Sequence, residues 1–528
     1  MSAKRSAVKA SMKHHRESFD GAQILARFDN ARHTPDMMEL FRGADNLAAT
    51  NALNPAVRKT TRDRARYVVA NVPYASSMVE TFVTHTVGPW ASVTFPRGGI
   101  GDDMRKRIVE DFDAWAMATD FWFKVRTMLR AKIVDGETFA IFTTDKKIVT
   151  DANKVTLNLR VLECDRVQSY TDMITRENEF DGIRFDENWH PTEYRILKYH
   201  PGDYRMIRNI QFKAGEWTSA RNVIHYFDAK RPEQVRGISD FVSALDIPAL
   251  QKSYREAVAQ TAITAASISG IMHTDQVPEC FDDDGTSLGR CAMDVKPNTV
   301  FNVQRGSFVT APEGWGITQL KAEQPTTLYA EFVRALIAEM AACLNMPVNI
   351  AMCDSSQHNF ASAKLDHMTY GDRIAAVRSA LSVIVLDRVF FAWLEEYAAI
   401  NRIDAATLVA LRKTEWLFKE SANSDVMKDA SADNTRLMNG TATYESICGK
   451  KGIDARRFIE TGIDERVMIL KTWREKCSAA GLPEDTPCPF ATLKADSAPA
   501  PTEDEIEHGT QQQPRTAEDN DKEKGKKG

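Results

Sequence analysis

The stretch from Ser239 to about Met272 constrains the fold more than any other part of the chain. It reads as one long helix with a kink at Pro248, and thirty-odd residues would span roughly 50 Å at 1.5 Å per residue. Its second half is rich in Ala, Ser and Thr, whose small side chains let neighbouring helices come close. Such a helix is either a buried core element or packed against copies of itself. A second helix runs from Thr326 or Thr327, either of which can N-cap it, to Leu344. Leu328, Phe332, Leu336, Met340 and Cys343 form its apolar stripe, and Pro347 ends it. Between the two lies a compact insertion, residues 275–324. Its turn signals (Asp282 to Gly285, Pro297-Asn298, Arg305-Gly306, Pro312 to Gly314) alternate with short strands at Val300–Val303 and Ser307–Thr310.

The rest of the chain falls into blocks of different character. Residues 1–16 carry Lys4, Arg5, Lys9, Lys13 and Arg16 before the first acid, which predicts a disordered or partner-contacting arm. Residues 61–87 read as two helices broken at Pro73, stopped by Gly88-Pro89. Asp102 to Ala118 is a helix with Ile108, Phe112 and Trp115 on one face, and another follows at Phe121 to Lys132. From Glu137 to Phe227 the pattern turns to short β runs, at Thr138–Phe142, Val155–Val161, Gly182–Phe185 and Tyr194–Leu197. After the second helix come a loop, Val348 to Phe360, and a helical stretch to about Ile400 with Val385, Val389, Trp393 and Tyr397 on its core side. Ser424 to Cys477 reads as short helices separated by Gly440, Gly449 and Gly452. Beyond about Lys494 the only large apolar residue is Ile506, so a disordered tail is expected. A chain of 528 residues exceeds what one core needs, so the expected class is α+β, predominantly helical, with several subdomains.

Composition narrows the function. Lys+Arg is 68 and Asp+Glu is 73, a net charge of −5, which argues against a protein that coats DNA by bulk positive charge. It leaves room for one that lets DNA slide past. The longest uncharged run, Ala257 to Met272, is shorter than a bilayer span of roughly 20 residues and is studded with hydroxyls and Gln260. The basic N-terminus has no apolar core behind it, so it does not read as a secretory signal. The 8 cysteines are scattered without a C-x-x-C spacing and read as reduced, unpaired thiols.

Catalytic patterns are thin. No G-x-x-x-x-G-K-[ST] phosphate loop and no H-E-x-x-H occurs. Asp282 to Gly285 lacks a first calcium ligand, because Cys280 stands in its place. Gly285-Thr286-Ser287-Leu288-Gly289 fits G-x-S-x-G, but a nucleophile elbow needs a buried strand before the serine and a helix after it. Three aspartates precede it, which favours a surface turn. His14 and His15 lie in the basic arm, His200 in a turn, and His225 in a strand where a satisfied partner is the expected role. No base, nucleophile and third group converge in sequence, and neither a metal nor a cofactor is implied.

A run of motifs resembles the lambda-type portal proteins of tailed bacteriophages. It begins at Arg64 to Val87 and continues through Asp135 to Phe139, Glu163 to Val167, Gly182 to Asn188 and His200 to Asp203. It is most specific at Asn222 to Phe227 followed by Arg231 to Gly237. Asn359-Phe360-Ala361-Ser362-Ala363-Lys364 resembles the family's Asn-Tyr-Ser-Ser-Ala-Arg, keeping an aromatic, a small residue and a cation. The resemblance covers about residues 20–480 and rests on order and spacing together.

It implies a closed ring, usually of twelve subunits, at one vertex of the virion capsid, assembled in the host cytoplasm. Double-stranded DNA would be packaged and ejected through its channel without sequence readout. The implied partners are the terminase large subunit, head-completion or adaptor proteins, and the major capsid or scaffold protein, with no membrane involved. Residues 1–56 would be the arm and start of the wing, 57–237 the wing, and 238–274 and 326–347 the stem helices. Residues 275–325 would be the clip, 348–361 the tunnel loop, 362–493 a helical wing and crown region, and 494–528 the tail. Twelve helices spaced about 10 Å apart enclose an opening of about 28 Å, enough for a duplex to slide. The tunnel loop suits a sliding duplex because it is polar and nearly neutral. Asn349, Asp354, Ser355, Ser356, Gln357, His358 and Asn359, with Lys364 beyond, are the DNA-facing candidates. Asp282, Asp283, Asp284, Arg290 and Arg305 are the candidates for terminase docking on the clip. Two other readings stay open: a capsid or scaffold component that is not a portal, and a serine hydrolase using Ser287.

Overall fold

Asn54 and Pro55 start the first long helix. The Asn54 side chain accepts the Val57 N–H at 3.0 Å, and proline sits in the first turn, where a missing N–H costs nothing. In the computed structural model this helix, α1 (Pro55–Asn71), gives way at Val72 to α2 (Pro73–Val87). Pro73 disfavours helical backbone at Val72, which is extended (φ −110°, ψ 110°), so the break anticipated at this proline is a clean stop and restart. The structure describes residues 35–95, 100–169, 178–203, 215–267, 271–274, 279–281, 283–290, 315–318, 328–356, 359–419, 426–451, 453, 455–483 and 486–488. The basic arm, the strands expected at 300–303 and 307–310, Thr326, Thr327 and the tail lie outside these.

Two units make up the chain: Met1–Pro89 with Gly101–Arg412, and Trp90–Ile100 with Lys413–Gly528. In the first, α3 (Asp102–Ala118) and α4 (Phe121–Asp135) follow α2. Ile108, Phe112 and Trp115 are buried as their spacing predicts. They meet α9 (Asp387–Asn401), where Phe112 packs edge-on to Phe390 and Trp393 at 5.2 Å. The β-rich block is two antiparallel sheets. One is ordered β2-β1-β7, from β1 (Glu137–Thr144), β2 (Leu157–Leu162) and β7 (Val223–Phe227). The other is β3-β4-β5-β6, from Glu179–Phe180, Ile183–Phe185, Pro191–Leu197 and Gly215–Ser219. Phe139, Leu162, Ile183, Tyr194 and Val223 bury themselves in one cluster shared by both sheets.

The long rod is shorter than expected. Its helix, α5, spans Ile247–Ser267, 21 residues or about 32 Å. The preceding residues are pinned elsewhere: the Asp240 N–H and the Ser239 hydroxyl both donate to the Ile133 carbonyl, at 3.0 and 3.2 Å. Lys132 also pairs with the Asp240 carboxylate at 2.8 Å, both side chains almost wholly buried. Pro248 therefore lies in the first turn of α5 and does not kink it. At the far end Ile271–Thr274 is a strand, β8, paired antiparallel with Trp315–Thr318, while Glu279–Phe281 (β9) and Ser287–Arg290 (β10) form a separate hairpin.

The second helix, α6 (Leu328–Ala342), buries Leu336 and Met340 as anticipated and Ile337 besides, but Phe332 keeps 40% of its surface exposed. It meets α5 through Tyr254, which stacks on Tyr329 at 5.8 Å and stands edge-on to Phe332 at 4.7 Å. Beyond its first turn, Val258 is the one buried side chain of α5 among those described. Pro347 starts α7 (Val348–Met352), a helix where a loop was expected, because its carbonyl accepts the Ile350 and Ala351 N–H groups. α8 (Phe360–Leu381) then joins α9 through a π-helical turn, Ser382–Leu386, and Val385, Val389, Trp393 and Tyr397 face the core as predicted.

In the second unit, Ala91–Thr94 pairs antiparallel with Glu415–Phe418. Three helices follow: α10 (Val426–Met438), α11 (Tyr444–Lys450) and α12 (Ala455–Ala479). α12 has 25 residues, where only short helices were expected. Gly462 lies inside it in open space and does not interrupt it. Among the described residues no helix is long and apolar enough to cross a membrane.

Candidate functional site

The segment expected to face DNA divides into a buried anchor and an exposed turn. Asn349 is 3% exposed inside α7, its Oδ1 taking the Ile350 N–H at 2.9 Å, so it is not a surface residue of the subunit. Its neighbours Ile350 and Ala351 are buried with it, and their packing withdraws it. Cys353 turns the chain with φ 53°, and the Asp354 N–H returns to the Asn349 carbonyl at 3.0 Å. Asp354 Oδ1 accepts the Ser356 N–H at 2.9 Å, while Ser355 and Ser356 are exposed. Gln357 and His358 lie outside the described residues. Asn359 N-caps α8, its Oδ1 accepting the Ser362 N–H at 2.8 Å, and the Ser362 hydroxyl donates back to the Asn359 carbonyl at 3.1 Å. The Asn–Ser spacing of that motif is thus a helix start. Lys364 lies one turn further on, beside the exposed Leu365 and Met368.

The candidates of the insertion fall on the hairpin. Asp283 and Asp284 are exposed in its turn, completed by Gly285 at φ 78°. Arg290 stands opposite Glu279 in the register of β9 and β10, and Asp282 and Arg305 lie outside the described residues. Ser287 is the first residue of β10, opposite Phe281. It follows a hairpin turn and enters a strand, the reverse of the strand, turn and helix that a nucleophile elbow requires. The G-x-S-x-G match is therefore a hairpin signature.

A feature that sequence reasoning missed lies under the β layer. Glu137, wholly buried at the start of β1, accepts five donors: Arg58 Nη1 (3.2 Å), Arg236 Nε (2.9 Å) and Nη2 (2.7 Å), His225 Nε2 (3.1 Å) and the Gly237 N–H (2.9 Å). Burial by itself would raise the Glu137 carboxyl, but Arg236, His225 and Arg58 outweigh it and hold the group well below the usual range. Burial drives His225 down more than Glu137 raises it, so the imidazole is neutral and donates through Nε2. Arg236 also donates to the carbonyls of Val167 (3.1 Å) and Asp181 (2.7 Å), and both it and Arg58 pair with the Asp181 carboxylate. Burial and the neighbouring Arg236 lower Arg58 to about 9. The lattice is possible because two glycines meet: a Cβ on Gly136 (φ 92°) would sit 2.2 Å from the Ile238 backbone, and one on Gly237 would sit 2.1 Å from the Gly136 carbonyl.

A second layer of charge adjoins it. Arg66 grips Asp135 through two 2.7 Å bonds and reaches Asp165 at 2.9 Å, and Arg62 holds the other Asp165 oxygen at 2.7 Å. Burial pushes the Cys164 thiol up to about 12, so it is inert. His200 Nε2 lies 3.0 Å from Glu163 and 3.6 Å from Asp165, three groups that could in principle hold a cation. Asp165 is already neutralised by two arginines, and His200 Nδ1 accepts the Gly202 N–H at 2.9 Å, which leaves its proton on the face turned to the acids. Arg62 and Arg66 therefore balance Asp165, and His200 stands beside the two acids as a neutral ring.

The sequence pattern of phage portal proteins, lambda family, matches residues 38–378. The chain belongs to that family. No curated protein matches it. Among solved structures, a chain from the neck of a native gene transfer agent particle, computed with C12 symmetry, is 14% identical. It covers 74% of this chain and 91% of its own length at TM-score 0.40. A chain from the virion of a native gene transfer agent particle is 13% identical, covering 72% and 88% at TM-score 0.42. Portal proteins are structural, and the residues that carried the resemblance now have physical roles. Arg66, Asp135, Gly136, Glu137, Asp165, Gly182, His225, Arg236 and Gly237, drawn from separate motifs, meet in or beside the lattice or its glycine contact. The available signal was a glutamate opening a β-type run, Glu137-Thr138-Phe139-Ala140-Ile141, that carries no other charge.

Proposed function

We propose that this portal protein forms a closed ring at one capsid vertex, a channel for double-stranded DNA during packaging and ejection. On this reading it is also the platform on which the terminase large subunit and, later, head-completion proteins dock. The observation that carries the reading is the family match across residues 38–378. The stem would include α5 and α6, the clip the hairpin and its surroundings in 275–325, and the tunnel loop residues 348–361. The wing would be 57–237, and the crown would lie within 362–493. Three features support this assignment. The exposed length of α5 leaves faces for neighbouring copies. The exposed turn at Ser355 and Ser356 holds one acid, Asp354, and no cation among its described residues, which suits contacts with DNA that break easily. The exposed Asp283 and Asp284 offer charge for docking at a hairpin tip.

The test is the mass of the purified native assembly, with images of the same sample. Twelve subunits of 59.2 kDa give about 710 kDa and rings with a central hole. Shells, filaments, or a subunit that stays monomeric even with capsid protein present would overturn the ring.

A further inference from the structure

The outer edge of β2 is sealed along only part of its length. β2 is the end strand of its sheet and pairs with β1 alone. In an antiparallel sheet, successive residues of a strand turn their N–H and C=O to opposite sides. The Thr156 carbonyl accepts the Asp145 N–H at 2.8 Å, so the even-numbered residues here face β1 and the odd-numbered ones face outward. Leu157 shows this directly: its N–H goes to the Glu396 carboxylate at 3.0 Å, and its carbonyl takes Trp115 Nε1 at 2.7 Å. The Thr156 N–H and hydroxyl add to the same carboxylate at 2.6 and 2.7 Å. The Leu159 N–H is taken by the neighbouring Asn158 side chain at 2.7 Å. There the sealing stops. Among the described residues, the Leu159 carbonyl and both backbone groups of Val161 have no partner. Such groups are a template for another strand.

The open stretch is bordered by cations. It lines an open notch of about 420 Å³ together with Lys124 and Thr127 of α4. Lys124 Nζ donates to Asn158 Oδ1 at 2.7 Å, an uncharged acceptor. Arg160 is exposed and has no acceptor among the described residues. It acts on Arg166, whose own donors are spent on the carbonyls of Leu197 and Lys198 at 2.6 to 3.0 Å. Of the acids that act on Lys124, Asp120 lies at the start of α4, and Asp145 is bonded at the sealed end of the strand. An edge that carries charge of one sign turns away most strands and admits its complement.

We propose that this edge receives an extended acidic segment of a separate protein, which joins the sheet as an antiparallel strand beside β2. The incoming residue opposite Val161 exchanges two backbone bonds with it, and the one opposite Leu159 donates to its carbonyl. The residue between these two lies opposite Arg160 and on the same face of the sheet, where cross-strand Cβ atoms come within about 5 Å. The residue two places further on lies opposite Asn158, beside Lys124. Both of those positions call for an acid. The alternate positions lie on the face of Leu159 and Val161 and call for apolar residues, so the recognised pattern is apolar, acid, apolar, acid. Glu396 and Trp115 stop the added strand there, because they already hold the backbone of Leu157.

The experiment uses the full-length protein in its native assembly and a fluorescein-labelled peptide, Thr-Val-Glu-Val-Glu-Val-Thr, read by anisotropy. The peptide is expected to bind, and the same peptide with lysine for glutamate is not. N-methylation of the central valine, whose N–H would reach the Leu159 carbonyl, should weaken binding about tenfold. N-methylation of the first glutamate, whose N–H would point away from β2, should leave it unchanged. Arg160→Glu, an exposed change, should weaken the glutamate peptide about tenfold and strengthen the lysine peptide. No binding at about 1 mM peptide would overturn the proposal. Equal loss from both N-methyl peptides would overturn it too, since charge alone would then hold the peptide, as would displacement of the peptide by a short DNA duplex. Binding that appears only after the assembly is dissociated would show that a second copy covers the edge. A chain ending at Leu493 that binds about tenfold more tightly would make the chain's own tail the occupant. Either result removes the separate partner.

Discussion

Replacing Glu137 by Gln tests whether the buried lattice holds the β layer together. Each Glu137 oxygen faces only donors: Oε1 meets Arg58 and Arg236, Oε2 meets His225, Arg236 and the Gly237 N–H. Whichever way the amide points, its NH2 confronts at least two of them. The substitution also removes the charge that balances Arg236. Breaking a buried pair from one side costs about 3–5 kcal/mol, because the remaining charge is left uncompensated. Spread over a unit of this size, that corresponds to a fall in Tm of about 5 °C. Removing both partners is a different perturbation. Glu137→Leu with Arg236→Leu leaves Arg58 and Asp181 paired with each other, so the double change should cost less than the sum of its parts. Urea unfolding followed by tryptophan fluorescence measures both. The pH dependence has a definite sign. The folded Glu137 carboxyl lies below its ordinary value near 4.5, so its stabilisation is complete above that value and is lost as the pH falls through the folded one. A Glu137→Gln variant within 1 kcal/mol of the parent, or strictly additive single changes, would refute the reasoning.

Other expectations follow from single contacts. Gly136→Ala should give little soluble protein, since its Cβ would lie 2.2–2.5 Å from the Ile238 backbone at φ 92°; normal yield and Tm would contradict it. Asn359→Ala should remove the N-cap of α8 at a cost of about 1 kcal/mol and raise amide exchange in its first turn, while ring mass stays unchanged. Deleting 355–358, which spares that cap, should leave assembly intact and impair packaging or retention of DNA; a deletion variant that packages normally would remove the tunnel assignment. Ser287→Ala should leave every activity unchanged, and the parent should not react with a serine-directed fluorophosphonate; labelling at Ser287 would restore the hydrolase reading.

Local signals gave the elements, and tertiary anchoring set their limits. The helix Asp102–Ala118 could be read to the residue, since its apolar spacing and flanking turns agree. Helix α2 ends where Gly88-Pro89 placed it. The rod was overextended because no local rule reveals that Ser239 and Asp240 bond to Ile133, more than a hundred residues earlier in the chain. Its C-terminal end was missed for a related reason: Ile271–Thr274 is a strand only because Trp315–Thr318 lies beside it. Asn349 looked like a polar loop residue, and only the packing of α7 buries it. For the candidate site, the residue types were visible but their partners were not. Glu137, Arg58 and Asp181 converge from points as much as 123 residues apart, and periodicity does not carry information over that distance.

The placement of these charges also bears on how a ring subunit would carry load. Arg236 and Gly237 lie in the lattice, Ser239 and Asp240 are fixed to the end of α4, and α5 begins at Ile247. The root of the rod is therefore tied to α4 and β1 by a glycine contact with no room for a methyl group and by two buried ion pairs. The rod itself is exposed along most of its length. In the proposed ring, lateral packing between copies would set where each rod leans, and the root would pass that lean to the β layer. Buried ion pairs suit such a joint better than apolar packing does. An apolar contact tolerates sliding, whereas Glu137 loses several directed bonds at once if Arg236 shifts by about an ångström. Stiffness at the root and freedom along the rod thus come from where the charge lies: the ion pairs of Glu137 and Lys132 are buried at the root, while the described side chains of α5 are mostly exposed.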